Sequence, residues 1–121
     1  HEHEAAVEFG PLSSYRDYID VRDVAWAVVA SGGSTSARGG LFNVARGFAV
    51  QSRLLVKMLA RAAGYEGPII ESEAQPLRSG GLVWQQADIG AARDVLSWTP
   101  RFSLADAIVS LWNDRLEACG N

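Results

Sequence analysis

The sequence predicts one α/β domain in which three short strands alternate with four helices. Short apolar runs bounded by glycine or polar residues indicate the strands, and apolar residues three and four positions apart indicate the helices. The 121 residues are enough for one domain and too few for two. Three short strands do not close a sheet by themselves, so we expect a further layer of the fold to lie outside this chain.

The first half of the chain begins with a segment of little periodicity. Residues 1–13 are predicted to be an N-terminal tail or lead-in, and the alternation over residues 15–21 predicts a strand. Helical spacing then predicts a helix over residues 21–31, with Asp20 as its N-cap and Asp23 as the reciprocal carboxylate of the cap. A glycine-bounded apolar run at residues 41–44 predicts a buried strand.

The second half contains the clearest helix, over residues 52–63, which Gly64 should end. A strand is predicted at residues 68–71, and a long irregular segment follows to residue 86. Two helices are predicted after it. The first runs from Asp88 as N-cap to Leu96, and the second covers residues 104–117 after a capping box of Ser103 and Asp106. Trp98 and Trp112 are predicted to lie in the core.

Composition excludes several classes of partner. The net charge is −3, and the ten arginines and one lysine are scattered, so no nucleic-acid partner is expected. No apolar run approaches the length of a membrane span, so no membrane is expected either. Cys119 is the single cysteine, which suits a cytoplasmic location. The histidines at positions 1 and 3 are interpreted as a terminal remnant, and no metal site is predicted.

Four short motifs follow one another over residues 14–113. They are Arg-Asp-Tyr-Ile-Asp-Val-Arg-Asp-Val-Ala from Arg16, Leu-Phe-Asn-Val-Ala-Arg-Gly from Leu41, Ala-Asp-Ile-Gly-Ala-Ala-Arg-Asp-Val-Leu from Ala87, and Ser-Trp-Thr-Pro from Ser97. Their order resembles the C-terminal third of the extended short-chain dehydrogenases/reductases, and of the nucleotide-sugar epimerases, dehydratases and reductases among them. Two positions depart from the family, because Ala45 and Ser97 stand where it usually has glycine.

The resemblance implies an α/β fold that is the C-terminal, substrate-binding portion of a Rossmann-type protein, here over residues 14–117. Neither the Gly-x-x-Gly-x-x-Gly turn nor the Tyr-x-x-x-Lys pair of the family occurs in this sequence. NAD or NADP would therefore be bound by a missing N-terminal half, within a protein of roughly 300 residues. No catalytic or cofactor-binding residue is predicted in this chain, and the isolated fragment should be inactive.

Three side chains are predicted to bind substrate because of the resemblance. Arg16 matches the arginine that clamps the diphosphate of a sugar nucleotide, and Tyr18 matches the aromatic residue that helps to hold the nucleotide. Arg78, in the long loop, would be the second phosphate-contacting arginine, although the Gly-Asp that often follows it is absent. Trp84, nearby, could stack on a base or a sugar ring, but it is interpreted as a buried anchor.

Each of these residues also has a structural interpretation. Arg16 could form an ion pair with Asp17, Asp20 or Asp23, Tyr18 could pack on a helix, and Arg78 could be a solvated loop residue.

The function implied is binding of a nucleoside-diphosphate sugar within an NAD(P)-dependent epimerase, dehydratase or reductase. The expected partners are that sugar nucleotide, the protein's own N-terminal Rossmann domain and further copies of itself in a homo-oligomer. Two alternatives remain, a non-catalytic sensing or assembly module and a reductase of small carbonyl compounds. In relatives the segment after residue 40 and the next helix pack on the Rossmann layer, so an unpartnered apolar face is expected at Leu41, Phe42, Leu55 and Leu59.

Overall fold

The computed structural model describes residues 5–72 and 82–119, and within them it confirms an α/β fold with four α-helices and few, short strands. The helices are α1 (Val21–Gly33), α2 (Ser52–Ala63), α3 (Gly90–Leu96) and α4 (Leu104–Cys119). The strands are β1 (Val7–Phe9), β2 (Tyr15–Arg16), β3 (Val50–Gln51) and β4 (Ile69–Glu71), and a 3-10 turn covers Thr35–Ala37.

The strands of the described residues form two separate two-stranded sheets. Strand β1 pairs in parallel with β4, with Val7 opposite Ile69, and β2 pairs antiparallel with β3, with Tyr15 opposite Gln51. Strand β1 lies inside the segment predicted as a lead-in, so part of that segment is paired with the rest of the fold. Neither sheet is wide enough to carry a core of its own.

The strand predicted at residues 41–44 is not formed, and the one predicted at residues 15–21 shortens to Tyr15–Arg16. A strand requires a neighbouring strand with which it exchanges backbone hydrogen bonds. The partner of β2 is Val50–Gln51 and not the segment at residues 41–44. Phe42 and Val44 pack against the core cluster, while Leu41 is 93% exposed. The apolar run was recognised correctly, but no strand of the described residues pairs with it.

The predicted caps of α1 and α4 are confirmed. The Asp20 carboxylate accepts the backbone N–H of Arg22 at 2.8 Å, and its hydrogen bond from the Arg22 guanidinium holds its pKa below the ordinary value of 3.8. At α4 the backbone N–H of Ser103 donates to Asp106 at 2.8 Å, and the N–H of Asp106 donates back to the Ser103 hydroxyl at 3.1 Å. Both ends are therefore set by residues within one turn.

The ends of α2 and α3 depend on left-handed residues. Gly64 ends α2 with φ of 66°, as predicted. Helix α3 begins at Gly90, two residues after the predicted cap, and the Asp88 carboxylate accepts the Gly90 N–H at 2.8 Å. It ends at Ser97, whose φ is 52°. The family's glycine at this position is explained by that backbone conformation, which costs a serine more than a glycine.

The core joins α1 and α3 around one tryptophan. Trp98 is fully buried with Ala27, Ala92 and Leu96, and its indole N–H donates to the backbone carbonyl of Asp23 at 3.1 Å. This confirms Trp98 as a core residue, whereas Trp112 is only half-buried and lines a surface groove.

The prediction that Asp23 completes the cap of α1 is wrong. Its buried carboxylate accepts the backbone N–H groups of Arg101 and Phe102, each at 3.0 Å, in the segment before α4. One side chain therefore connects the first turn of α1 to a segment almost eighty positions further along the chain.

Glu71 links the segment before β2 to α2 and β4. Its carboxylate accepts the backbone N–H of Leu12 at 2.8 Å and forms a bidentate ion pair with Arg53 at 2.9 and 2.7 Å. The N–H of Leu12, and then the Arg53 guanidinium, hold the pKa of Glu71 below its ordinary value of 4.5. The charged carboxylate is therefore the form that the fold stabilises.

Acid should weaken the fold through this group. Because the pKa of Glu71 is lower in the folded than in the unfolded chain, its stabilisation is complete above pH 4.5 and is lost as the pH falls below it. Glu71→Gln should lower the melting temperature at pH 7 and reduce its further fall between pH 5 and pH 3. Thermal unfolding followed by circular dichroism measures both effects, with Glu117→Gln on exposed α4 as the control. An acid dependence unchanged in Glu71→Gln would contradict this prediction.

Candidate substrate-binding site

Arg16 lies at the end of β2, between β3 and residues 82–85. The backbone of Tyr15 pairs with that segment, since its N–H donates to Val83 at 2.8 Å and its carbonyl accepts from Gln85 at 3.1 Å. The Arg16 guanidinium donates to the carbonyls of Tyr15 and Leu82 at 2.7 and 2.8 Å. The guanidinium is therefore held by carbonyl oxygens of β2 and of residue 82.

Tyr18 lies against the first residue of α2. Its hydroxyl shares a hydrogen bond of 2.9 Å with the Ser52 hydroxyl, which lies 3.4 Å from the Ser14 hydroxyl. The residue is half-buried. This position agrees with the structural interpretation that Tyr18 packs on a helix, and its contact with a nucleotide stays a prediction.

Two other residues were predicted in or near the loop. Arg78 lies outside the described residues, so its phosphate contact also stays a prediction. Trp84 is 55% exposed, and the prediction that it is a buried anchor is wrong. Its ring stacks on Tyr15 with centroids 4.7 Å apart and an interplanar angle of 25°. One face of the indole is used by this stack, because the strand-like pairing with Tyr15 brings the two rings together.

Asp17 connects two backbone segments of the site, although the sequence indicated it only as a possible ion-pair partner of Arg16. Its carboxylate accepts three backbone N–H groups, from Arg46 at 2.9 Å, Gly47 at 3.0 Å and Ala87 at 3.2 Å. It therefore joins the turn after residue 44 to the segment before α3. Its position between Arg16 and Tyr18 in the motif indicated a role in the site. The neighbouring sequence does not indicate which distant backbone N–H groups its carboxylate binds.

The three carboxylates proposed as ion-pair partners of Arg16 are used elsewhere. Asp17 binds backbone N–H groups, Asp20 binds Arg22 at 2.7 Å, and Asp23 binds the segment before α4. Gln86 adds a second link beside Asp17, because its amide donates to the Gly47 carbonyl at 3.0 Å and accepts from the Ala49 N–H at 3.3 Å. Asp17 and Gln86 therefore hold the neighbouring segments through hydrogen bonds to backbone groups.

A surface cavity of about 460 Å³ opens beside this arrangement. Trp84 forms one wall, and Gly47, residues 86–90 and Arg93 complete the lining. The size falls within the usual range for small-molecule pockets. Asp17 and Gln86 connect two of its walls, because Asp17 accepts from Gly47 and Ala87 and Gln86 donates to the Gly47 carbonyl.

The described residues contain neither a group of three potential metal ligands nor a helix that is long and apolar enough to cross a membrane.

Comparison with known proteins identifies similar chains. This chain is 36% identical over 108 residues to dTDP-6-deoxy-L-talose 4-dehydrogenase (NAD(P)(+)) of Kitasatospora kifunensis. The aligned region covers 89% of this chain and 34% of the relative. It is 39% identical over 100 residues to UDP-glucose 4-epimerase of Mycolicibacterium smegmatis, covering 83% and 31%. The solved structure of RMD from Pseudomonas aeruginosa, complexed with NADPH, matches 91% of this chain and 36% of its own, with 26% identity and a TM-score of 0.76.

The fold and these matches define the C-terminal portion of a Rossmann-type extended short-chain dehydrogenase/reductase, which confirms the predicted resemblance. Within that family the two curated relatives are a dTDP-sugar dehydrogenase that uses NAD(P) and an epimerase of UDP-glucose. The chain spans about a third of the length of the curated relatives it matches. No model of a protein family matches it.

Proposed function

We propose that this chain is the substrate-binding part of an NAD(P)-dependent enzyme that epimerises, dehydrates or reduces a nucleoside-diphosphate sugar. The observation that carries the proposal is the identity of 36% over 108 residues to a dehydrogenase of a dTDP-sugar. The identity of 39% to a UDP-glucose epimerase supports the same substrate class with a different reaction. We therefore propose a nucleoside-diphosphate sugar as the substrate class. The residues that select the reaction would lie in the part of the enzyme outside this chain.

Arg16 is the residue we propose to bind the diphosphate. Its guanidinium donates to the carbonyl oxygens of Tyr15 and Leu82, both of which are neutral acceptors. A phosphate oxygen is a stronger acceptor than a carbonyl, and the planar guanidinium can bind two of its oxygens at once. Small rotations of the side chain would exchange carbonyl for phosphate without moving β2, because the backbone on both sides is held by Asp17 and Gln86.

We propose Arg78 as the second arginine and Tyr18 as a contact to the nucleoside. Arg78 stands four positions before Leu82, whose carbonyl already meets the Arg16 guanidinium. The chain length between them allows the second guanidinium to reach the same diphosphate. The Ser52 hydroxyl holds the Tyr18 hydroxyl at 2.9 Å and so orients the ring, whose exposed part is available for a sugar or base.

The remaining parts of the proposal concern the whole protein. NAD or NADP would be bound by an N-terminal Rossmann domain and would supply hydride transfer, while this chain binds and orients the substrate and is inactive alone. We also propose a homo-oligomer in the cytoplasm, where an exposed free thiol such as that of Cys119 remains reduced.

Nucleotide binding by the complete gene product tests the proposal. UDP, GDP and dTDP are titrated by calorimetry, and the corresponding sugar nucleotides are then incubated with NAD and NADP. We expect one diphosphate to bind and its sugar nucleotide to be converted. If all three diphosphates fail to bind, a reductase of small carbonyl compounds replaces the proposal. If the upstream sequence lacks both Gly-x-x-Gly-x-x-Gly and Tyr-x-x-x-Lys, the chain is a non-catalytic module.

A further inference from the structure

The exposed apolar side chains lie elsewhere than the sequence predicted. Of Leu41, Phe42, Leu55 and Leu59, only Leu41 is exposed, and the other three are half-buried. Trp84, in contrast, is 55% exposed. Exposure of a single apolar residue is common in proteins, so the surroundings of Trp84 decide whether its ring forms part of a site.

The Trp84 ring is fixed on one face and borders a cavity. It stacks on Tyr15, with centroids 4.7 Å apart, and hydrogen bonds of Tyr15 to the backbone of Val83 and Gln85 hold the two segments together. The indole also lines the cavity of about 460 Å³. It is therefore a rigid aromatic wall, on which a further planar ring can extend the stack.

The rest of the lining is polar without an excess of positive charge. Among the described residues that line the cavity, Arg93 and Asp88 are the charged ones. Arg93 Nε donates to Asp94 at 3.0 Å, and the Asp88 carboxylate accepts the Gly90 N–H at 2.8 Å. A phosphate requires a surplus of cationic donors, so the lining favours an uncharged ligand. The guanidinium has further N–H donors and the carboxylate has further acceptor positions for such a ligand.

We propose that this cavity binds a nucleobase, whose ring stacks on Trp84 and whose edge forms hydrogen bonds with Arg93 and Asp88. A nucleobase is an uncharged planar ring that carries both N–H donors and oxygen or nitrogen acceptors on its edge. A guanidinium donates to the acceptors, and a carboxylate accepts from the donors. Proteins bind unpaired bases by this combination of an aromatic stack and hydrogen bonds to the base edge.

The cavity and the Arg16 side chain lie on different faces of β2. Tyr15 and Arg16 are successive residues of this strand, so their side chains point to opposite faces. Neither Arg16 nor Tyr18 is among the described residues that line the cavity. The nucleobase site therefore uses other side chains than the proposed diphosphate site and does not require the proposed function. The base has two possible sources, the nucleotide whose diphosphate binds Arg16 and a second nucleotide.

Nucleoside binding to the complete gene product tests the proposal. Uridine, thymidine, guanosine and adenosine are titrated in saturating NAD, and saturation-transfer NMR of the base protons gives each affinity. We expect at least one nucleoside to bind, and Trp84→Ala to weaken it by about fivefold to a hundredfold, the usual contribution of a base–aromatic stack. Trp84→Phe retains a smaller ring and should recover part of the affinity.

Two variants show whether the effect is local. Arg93→Ala removes a donor from exposed α3 and should weaken the same nucleoside by about threefold to tenfold without changing the melting temperature. The matched control is Trp26→Ala on α1, which removes a tryptophan that is 42% exposed and lies under Arg101. This control should bind the nucleoside as the wild type does.

The source of the base is determined by repeating the titration with an excess of the nucleoside diphosphate that the wild type binds. Displacement of the nucleoside assigns the site to the base of that nucleotide, and retention assigns it to a second nucleotide. The proposal is overturned if no nucleoside binds, or if Trp84→Ala and Trp26→Ala bind with equal affinity. The proposed function is judged separately, by diphosphate binding and turnover of the wild type.

Discussion

Replacing Asp23 by alanine should lower the free energy of unfolding of this chain by about 3 kcal/mol, through the loss of two hydrogen bonds to a buried carboxylate. The backbone N–H groups of Arg101 and Phe102 each donate to it at 3.0 Å, and both would lose their acceptor. The same turn of α1 also receives the indole N–H of Trp98, so a displaced loop would disturb the core. Against a typical total stability of about 5–15 kcal/mol, this is a large effect.

Urea unfolding at neutral pH measures the loss, and two variants make the result specific. Asp94→Ala removes an exposed carboxylate from α3, so we expect a change below about 0.5 kcal/mol. Asp23→Asn keeps one carbonyl oxygen but turns an amide NH₂ toward a backbone N–H, so its loss should lie between those of the other two. If Asp23→Ala is no less stable than Asp94→Ala, Asp23 does not hold the segment before α4.

Arg16→Ala should weaken binding of the nucleoside diphosphate by about tenfold to a hundredfold in the complete protein, because hydrogen bonds to a charged group contribute about 1.5–3 kcal/mol. The same guanidinium meets the carbonyls of Tyr15 and Leu82, so the melting temperature of the variant is recorded with each titration. Calorimetric titration with the nucleotide that the wild-type protein binds gives the affinity.

Two further variants separate the charge of Arg16 from its shape. Arg16→Lys retains the charge without the planar pair of donors, so it should recover only part of the affinity. Arg115→Ala removes an exposed arginine from α4, far along the chain from β2, and should bind as the wild type does. Equal affinities of Arg16→Ala and Arg115→Ala, with equal melting temperatures, would remove Arg16 from the site and favour a substrate without a diphosphate.

The helices and their ends could be predicted because their determinants are local. The capping box of Ser103 and Asp106 and the left-handed Gly64 lie within one turn of the helix ends that they define. The exception is the start of α3, where Asp88 accepts the N–H of Gly90 but the helix begins one residue later than an N-cap at Asp88 predicts. The ends of helices are commonly frayed, so a boundary that differs by one residue is within their normal variation.

The candidate site could be predicted only in part. The motif around Arg16 was visible because of the resemblance to a family, and the strand predicted there exists as β2, whereas the binding role of Arg16 stays a prediction. The exposure of Trp84 and its stack on Tyr15 were not predictable, because they depend on the parallel bridge between two segments almost seventy residues apart. Sequence patterns report the polarity of a side chain and its local period, and neither specifies a partner at that distance.

The sequence by itself determined the α/β class, the four helices and the caps at Asp20 and Ser103, all of which follow from periodicity and from contacts within one turn. The tertiary structure alone decided which strands form and what the carboxylates bind. Residues 41–44 have the composition of a strand but pair with no strand of the described residues. Asp17 and Asp23 stabilise distant backbone segments rather than a cap or an arginine. The physical reason is that a strand pair, or a hydrogen bond to a backbone N–H group, requires two segments of the chain. The sequence of one segment therefore does not specify which distant segment it binds.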